Sequence, residues 1–100
     1  MNYYVYILHA HSADRLYSGQ TQDLARRLER HNKGYERSTR HGTPWSLACA
    51  IKVTSRSEAI KLERRLKNMK SRKRVFEWIQ TLASDQYVAG PAFHRIYDPD

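Results

Sequence analysis

Five side chains in this sequence have the chemical character needed to hydrolyse a phosphodiester bond. That reaction needs an activated water, positive charge near the phosphoryl oxygens and support for the departing oxygen. A carboxylate can hold a divalent cation, a guanidinium can bind phosphoryl oxygens, and a phenol or an imidazole can move a proton. The five side chains are Tyr6, Tyr17, Arg27, His31 and Glu63. They can act together only if the fold brings them to one place.

The two tyrosines lie in a predicted β-hairpin. Residues 3–9 are aromatic and β-branched, residues 11–14 supply turn formers, and residues 15–19 predict a second short strand. Because side chains alternate between the two faces of a strand, one face of each strand carries its tyrosine. We therefore expect Tyr6 and Tyr17 to point into a common space.

The arginine and the histidine lie on a predicted helix over residues 22–33. Thr21 is a suitable N-cap and Gly34 is a natural stop. Arg27 and His31 are one helical turn apart, at the border of the buried stripe. The two side chains should therefore face the same neighbouring element.

The rest of the chain predicts one more strand and two more helices. Residues 46–54 predict a third strand, and Ser55 and Glu58 match a capping box. Glu63 falls at the edge of the buried stripe of the helix that follows, and a further helix covers residues 72–82. The order β-β-α-β-α-α predicts an α+β fold, in which helices flank a small three-stranded, mostly antiparallel sheet.

One domain over residues 1–82 accounts for this pattern. The chain of 100 residues can bury a modest core, and residues 83–100 are expected to form a tail that packs on the domain or is mobile. The single cysteine, Cys49, cannot form an internal disulfide and is expected to be buried. No signal peptide or membrane-spanning run is evident, which favours a soluble, cytoplasmic protein.

The charge of the chain favours a polyanionic partner. It has 18 Lys and Arg against 10 Asp and Glu, a formal net charge of +8. Charge alone also fits a basic surface that binds nothing, but the basic residues concentrate in the middle of the chain. The candidates for contact with nucleic acid are Arg26, Arg30, Lys33, Arg37, Arg40 and Lys67.

Three short segments resemble the defining motifs of the GIY-YIG nucleases. They are residues 4–6, residues 16–19 and residues 24–31, and the resemblance extends to the later helix that carries Glu63. Together they cover roughly residues 2–82. The sequence departs from the motifs after which the family is named at Tyr4, Val5 and Ser18. The resemblance implies a three-stranded antiparallel sheet flanked by helices, and hydrolysis of nucleic acid.

The resemblance also implies a role for each candidate. Glu63 would ligate one Mg²⁺ (or Mn²⁺), with water and substrate oxygens completing the coordination. Arg27 would stabilise the charge that grows on the pentavalent phosphate. One tyrosine would be the base, for which we choose Tyr6, and Tyr17 would orient water or phosphate. His31 would relay a proton or hydrogen-bond the base.

Each role has a structural alternative. Glu63 and Lys67 could be an ordinary surface ion pair, strand tyrosines often fill a core, and His31 could be satisfied by a backbone oxygen. A free phenol has a pKa of about 10, so a tyrosine base near neutrality needs positive charge from Arg27, Lys67 or the metal. Larger relatives carry an asparagine after the metal-binding helix, and Asn68 is the nearest one here.

These inferences favour a divalent-metal-dependent endonuclease. Tyr35 and Trp45 lie in a polar loop over residues 34–45 and could stack on unpaired bases, although filling the core beside Pro44 is the favoured role of Trp45. Stacking favours single-stranded or branched DNA, and we favour DNA over RNA. The competing hypothesis is a non-catalytic nucleic-acid-binding module with a vestigial site. An RNA or ribosome contact is a weaker alternative because no RNA-recognition motif is present.

Overall fold

A four-stranded antiparallel sheet forms the centre of the computed structural model, which describes residues 2–97. Its spatial order is β2-β1-β3-β4. The strands are β1 (Tyr3–Ala10), β2 (Arg15–Thr21), β3 (Trp45–Val53) and β4 (Tyr87–Ala89). Because β1 lies between two partners, its residues from Val5 to Ala10 are all buried.

Helices cover both faces of this sheet. They are α1 (Leu24–Asn32), α2 (Arg56–Met69), α3 (Arg72–Ile79) and α4 (Phe93–Tyr97), with a 3-10 turn at Arg40–Gly42. Val5 and Ile7 of β1 belong to the core formed with α2, α3 and α4. Tyr6 and Leu8 face the other way and pack with α1 and Trp45. The alternation predicted for the hairpin therefore separates two cores.

The predicted α+β class is confirmed, but the predicted three strands and their order are wrong. Residues 87–89 form a fourth strand, which pairs with β3 through Cys49 and Ala89. The element order is thus β-β-α-β-α-α-β-α. A strand of three residues carries too little periodicity to be seen in sequence, and its pairing depends on the tertiary fold. The aromatic ring of Phe93 also packs on Phe76, with centroids 5.2 Å apart.

Part of the predicted tail lies outside the described residues, namely residues 98–100. Within the described part, the helix bounds differ slightly from the prediction. Asp23, not Thr21, caps α1 by accepting from the Arg26 amide, which shortens the predicted helix at its start. Ser55 caps α2 as predicted by accepting from the Glu58 amide. The helix predicted over residues 72–82 ends at Ile79.

Two smaller expectations concern burial and length. Cys49 is fully buried, and burial raises the pKa of its thiol to about 12, so the side chain serves packing. Within residues 2–97, every helix is too short or too polar to cross a bilayer.

Candidate active site

A chain of hydrogen bonds joins Arg27, Tyr6, His31 and Thr39. The Arg27 Nε donates to the Tyr6 hydroxyl at 3.2 Å. The same hydroxyl lies 3.0 Å from His31 Nε2, and His31 Nδ1 lies 2.6 Å from Thr39 Oγ1. Helix α1 thus delivers its arginine and its histidine, one turn apart, to a single oxygen on β1. The predicted alternative for His31, a bond to a backbone oxygen, is wrong.

The neighbouring strand β2 makes room for the Tyr6 ring. Gly19 lies directly opposite Tyr6 in the sheet. A Cβ atom at residue 19 would lie 2.5 Å from the Tyr6 hydroxyl. The phenol ring of Tyr6 is therefore what approaches this glycine. Glycine at this position therefore permits the geometry of the hydrogen-bonded chain.

Tyr17 joins the same cluster through its ring. Its centroid lies 5.1 Å from that of His31, edge to face, while the Tyr6 and His31 centroids are 5.8 Å apart. The two tyrosines therefore share one space, as the alternation predicts. Tyr17 is half-buried, whereas Tyr6 is only 1% exposed. Tyr17 therefore has the more open position of the two.

Burial keeps both central groups uncharged. It raises the pKa of the Tyr6 phenol above its ordinary value, although the hydrogen bond from Arg27 acts in the opposite direction. Burial, followed by the positive charge of Arg27, lowers the pKa of the His31 imidazole. The positive charge of Arg27 alone therefore does not bring the pKa of the Tyr6 phenol below its ordinary value. The phenol needs a proton acceptor, and His31 Nε2 is placed to be one.

The Thr39 hydroxyl can fix the histidine tautomer that this requires. Thr39 Oγ1 donates to the Glu36 carbonyl oxygen at 3.5 Å, so it can accept from a protonated His31 Nδ1. Nε2 is then free to accept the Tyr6 proton. In this arrangement the hydroxyls of Tyr6 and Thr39 and both ring nitrogens of His31 have hydrogen-bond partners.

The loop after α1 holds this arrangement in place. The Glu36 carboxylate lies 3.1 Å from Arg30 Nε and 3.6 Å from Arg27 Nη1. The hydrogen bond from Arg30 lowers the pKa of Glu36, so the carboxylate is ionised at neutral pH. Sequence analysis missed Glu36 and Thr39, and the polar character of their loop was the one signal that could have pointed to them. Such loops carry function more often than they merely connect elements.

Trp45 is buried beneath the loop, which it supports, so its ring cannot stack on nucleic-acid bases. It is 5% exposed, and its indole Nε1 donates to the Thr39 carbonyl oxygen at 2.8 Å. The Asn32 side chain binds both the amide and the carbonyl of Trp45. The core role is therefore confirmed and base stacking by Trp45 is wrong. Tyr35 is 63% exposed and is open to a partner.

Glu63 lies on α2, apart from the tyrosine cluster. Its side chain is 16% exposed and pairs with Lys67 Nζ at 3.0 Å, as in the surface-pair alternative. It lines an open depression of about 350 Å³ together with Gln20 and Asn68. Gln20 also lines a depression that contains Arg27. The structure thus brings four of the five candidates together and places the fifth across the β2 edge from Arg27.

The donors at Glu63 suit a hard divalent cation that keeps much of its hydration. Within residues 2–97, His, Cys, Asp and Glu form no group of three or more that could hold a metal. The depression holds one carboxylate and two amides beside the cations Arg64 and Lys67, so a metal would replace Lys67 at Glu63 and take most of its ligands from water and substrate. Mg²⁺ is commonly bound in this way, whereas zinc sites need several nitrogen or sulfur ligands. The residues present therefore fit magnesium.

Exposed basic side chains border the cluster. Arg26, Arg27 and Arg30 line one depression on the outer side of α1. Some of the charge is paired, since Lys33 Nζ lies 2.6 Å from Glu29 and Arg30 binds Glu36. All six predicted nucleic-acid contacts are exposed, namely Arg26, Arg30, Lys33, Arg37, Arg40 and Lys67.

Two comparisons with known proteins agree on the family. The GIY-YIG catalytic domain matches residues 2–75. A UPF0213 protein of Halalkalibacterium halodurans is 35% identical over 75 residues, which cover 74% of this chain and 79% of that protein. The family match spans β1 to α2 and includes every member of the tyrosine cluster as well as Glu63. This chain therefore belongs to the GIY-YIG catalytic domain family.

Proposed function

We propose that this protein is a divalent-metal-dependent endonuclease that hydrolyses phosphodiester bonds in DNA. The observation that carries the proposal is the single hydroxyl of Tyr6, which receives a hydrogen bond from Arg27 and lies 3.0 Å from His31 Nε2. A phenol with an attached proton acceptor and a guanidinium beside it can both take a proton from water and meet an anionic phosphate. Family membership supports the reaction class.

Two protons move in linked steps. Tyr6 releases its proton to His31 Nε2, and the phenol oxygen takes a proton from the attacking water. The Arg27 Nε stabilises the negative charge on that oxygen, while its Nη atoms can reach phosphoryl oxygens. Tyr17, half-buried beside His31, orients the water or the phosphate. This scheme uses a neutral histidine, in agreement with the lowered pKa of His31.

Glu63 would hold Mg²⁺ or Mn²⁺, with Gln20 and Asn68 beside it. When bound, the cation would polarise the phosphate and support the departing oxygen. Lys67, which pairs with Glu63 here, would then be released toward the substrate. The amide of Asn68, which lies on the same helix as Glu63, supplies a hydrogen-bonding group beside the cation.

The substrate is a single-stranded or branched DNA. Tyr35 offers an exposed ring, with the Arg30 guanidinium 5.8 Å from its centroid, on which an unpaired base can stack. Exposed arginines on α1 and on the following loop would contact the backbone phosphates. These contacts read no sequence, so structure rather than sequence should select the substrate.

The test is a cleavage panel with the purified protein. Single-stranded, duplex, flap and junction DNA, and a matched single-stranded RNA, are incubated with Mg²⁺, with Mn²⁺ and with chelator. We expect cleavage of the single-stranded or branched DNA that requires the metal and is lost in Tyr6→Phe. Tight binding without cleavage of any substrate would refute the proposal and favour the non-catalytic binding module.

A further inference from the structure

A groove with an aliphatic floor lies on the face of the sheet opposite Tyr6. Its floor consists of Ile7, Leu16, Leu66 and Val75, and its volume is about 250 Å³. Ser18 of β2 also lines it and lies opposite Ile7 in the sheet. Ser18 is smaller than its aliphatic neighbours, so the groove is open at the edge strand. We call this site the β2–α3 groove.

Cations form the rim of the β2–α3 groove. Lys67, Lys70 and Arg72 line it, and its lining includes no carboxylate. Arg72 is held by Asp14 across the hairpin turn at 2.8 Å. Lys70, by contrast, forms no ion pair with any acidic side chain among residues 2–97, and it is exposed. An apolar floor beneath a cationic rim matches a ligand with a flat, weakly polar part and an anionic part.

Two features of the backbone also favour an anionic ligand at this rim. Lys70 ends α2 with φ of 54°, a left-handed conformation that glycine adopts more readily. The next residue, Ser71, is the N-cap of α3, so the positive end of that helix dipole lies next to Lys70 in the chain. The chain thus places a lysine where a glycine would be less strained, beside a helix start.

The β2–α3 groove and the Glu63 depression share one lining residue. Lys67 lines both. Lys70 follows Glu63 by seven positions, at the end of α2, which corresponds to a helical rise of about 10 Å. Neighbouring nucleotides of one strand can span this distance. A strand whose phosphate lies at Glu63 can therefore place a nearby nucleotide in the groove.

We propose that the β2–α3 groove binds one nucleotide of the substrate strand, with its base extruded onto the aliphatic floor and its phosphate against Lys70. The proposal rests on the proposed function, because it uses the strand position that cleavage requires. It adds a reason for the substrate class. A base inside a duplex cannot leave its stack without losing its partner, whereas an unpaired base can.

The experiment separates binding from cleavage. Short single-stranded DNAs carry 2-aminopurine at successive positions near the cut, and binding is measured in chelator. 2-Aminopurine brightens when it leaves its stack for aliphatic surroundings. We expect one position to brighten, and we expect removal of the base at that position to weaken binding roughly tenfold, the scale of one stacked or buried base.

Two variants change residues of the groove that lie outside the tyrosine cluster, although Tyr17 also lines the groove. Ser18→Ile fills the groove from the opposite face to Tyr6 and suits a strand, so the fold should persist. It should abolish the brightening. Lys70→Gly relieves the left-handed strain while removing one charge, and it should reduce the slope of log K against log salt by about 0.7. Lys61→Gln, on α2 but outside the groove lining, should leave both measurements unchanged.

The outcomes distinguish the two proposals. If wild-type protein cleaves DNA and both groove variants bind, brighten and respond to salt as wild type does, the groove proposal is overturned while the nuclease proposal stands. If one position brightens and the variants abolish it, but no substrate is cut, the groove stands and the nuclease proposal fails. Thermal melting of each variant shows whether it is folded.

Discussion

At the scale of single residues, the site depends on an oxygen that has two different partners. The Tyr6 hydroxyl accepts a hydrogen bond from the permanently charged Arg27 and lies next to the neutral acceptor His31. It can therefore pass its proton to His31 while Arg27 stabilises the phenolate. The half-buried Tyr17 touches only the ring of His31 among these groups. The two hydroxyls therefore should not be equivalent.

Matched phenylalanine substitutions test this difference. Tyr6→Phe and Tyr17→Phe each remove only a hydroxyl, so the sheet should remain folded. Tyr6→Phe should lower the cleavage rate at least about 100-fold, the lower range for a general base, and Tyr17→Phe should lower it less. Single-turnover cleavage measures both rates. Equal, wild-type rates in the two variants would overturn the assignment of Tyr6.

The relay also predicts the dependence of the rate on pH. The folded pKa of His31 is lowered, so the neutral acceptor persists below the ordinary histidine value of about 6.5. The rate should be level above that value and should fall at more acidic pH as His31 becomes protonated. For the same reason, the stability that neutral His31 contributes is present above about pH 6.5 and is lost as pH falls through the folded pKa.

A pH–rate profile of kcat and a His31→Gln variant check this. The acid limb should disappear in the variant, whose remaining rate should be low and flat. A wild-type rate that instead climbs steadily to about pH 10 would indicate that tyrosinate forms before the reaction. The relay would then be the wrong description.

Glu63 is the remaining residue-scale assignment. Glu63→Ala should abolish metal-dependent cleavage and leave nucleic-acid affinity and folding largely intact, because a carboxylate at a helix edge contributes little packing. Titration calorimetry with Mg²⁺ should show a weak site that the variant lacks. Glu77→Ala is a matched control, since Glu77 also pairs with a lysine four residues away on an exposed helix face. Cleavage by Glu63→Ala at the wild-type rate would exclude Glu63 as the metal ligand.

At the scale of elements, β2 determines whether the Tyr6 ring can lie flat across the sheet. Gly19→Ala adds a Cβ atom 2.5 Å from the Tyr6 hydroxyl, which neither the central strand nor the ring can easily avoid. We expect a loss of about 1–3 kcal/mol in the free energy of unfolding, typical of overpacking, and a drop in cleavage. Denaturant titration measures the loss. Ser18→Ala, on the adjacent residue and the opposite face, should cost much less.

The elements also show where sequence reasoning succeeds. Period-two alternation located the shared face of Tyr6 and Tyr17, and helical spacing located Arg27 and His31, because both periodicities are local properties of the backbone. Sequence reasoning failed for β4, which has three residues. It also failed for Thr39, whose contact with His31 is created only when the loop folds back on α1. Nor could the sequence give the balance between burial and positive charge at the Tyr6 phenol, because burial on a central strand is a property of the whole sheet.

At the scale of the whole molecule, the net charge of +8 should make binding sensitive to salt. For single-stranded DNA, log K against log salt should slope by roughly −0.7 for each phosphate contacted. The double variant Arg26→Gln, Arg37→Gln should flatten the slope without changing sequence preference. Fluorescence anisotropy at several salt concentrations measures this, with the double variant Lys61→Gln, Arg74→Gln on α2 and α3 as a charge-matched control. A slope near zero in the wild type would exclude backbone phosphates as the main contacts.

The central position of β1 has a consequence for how the protein unfolds. Local opening begins where few neighbours hold the backbone, and a strand paired on both sides opens only with the cooperative unit as a whole. Tyr6 therefore sits on an element whose amides should exchange with solvent among the slowest in the molecule. The Tyr6 hydroxyl should stay in register until global unfolding, so heating should remove activity and structure in one transition.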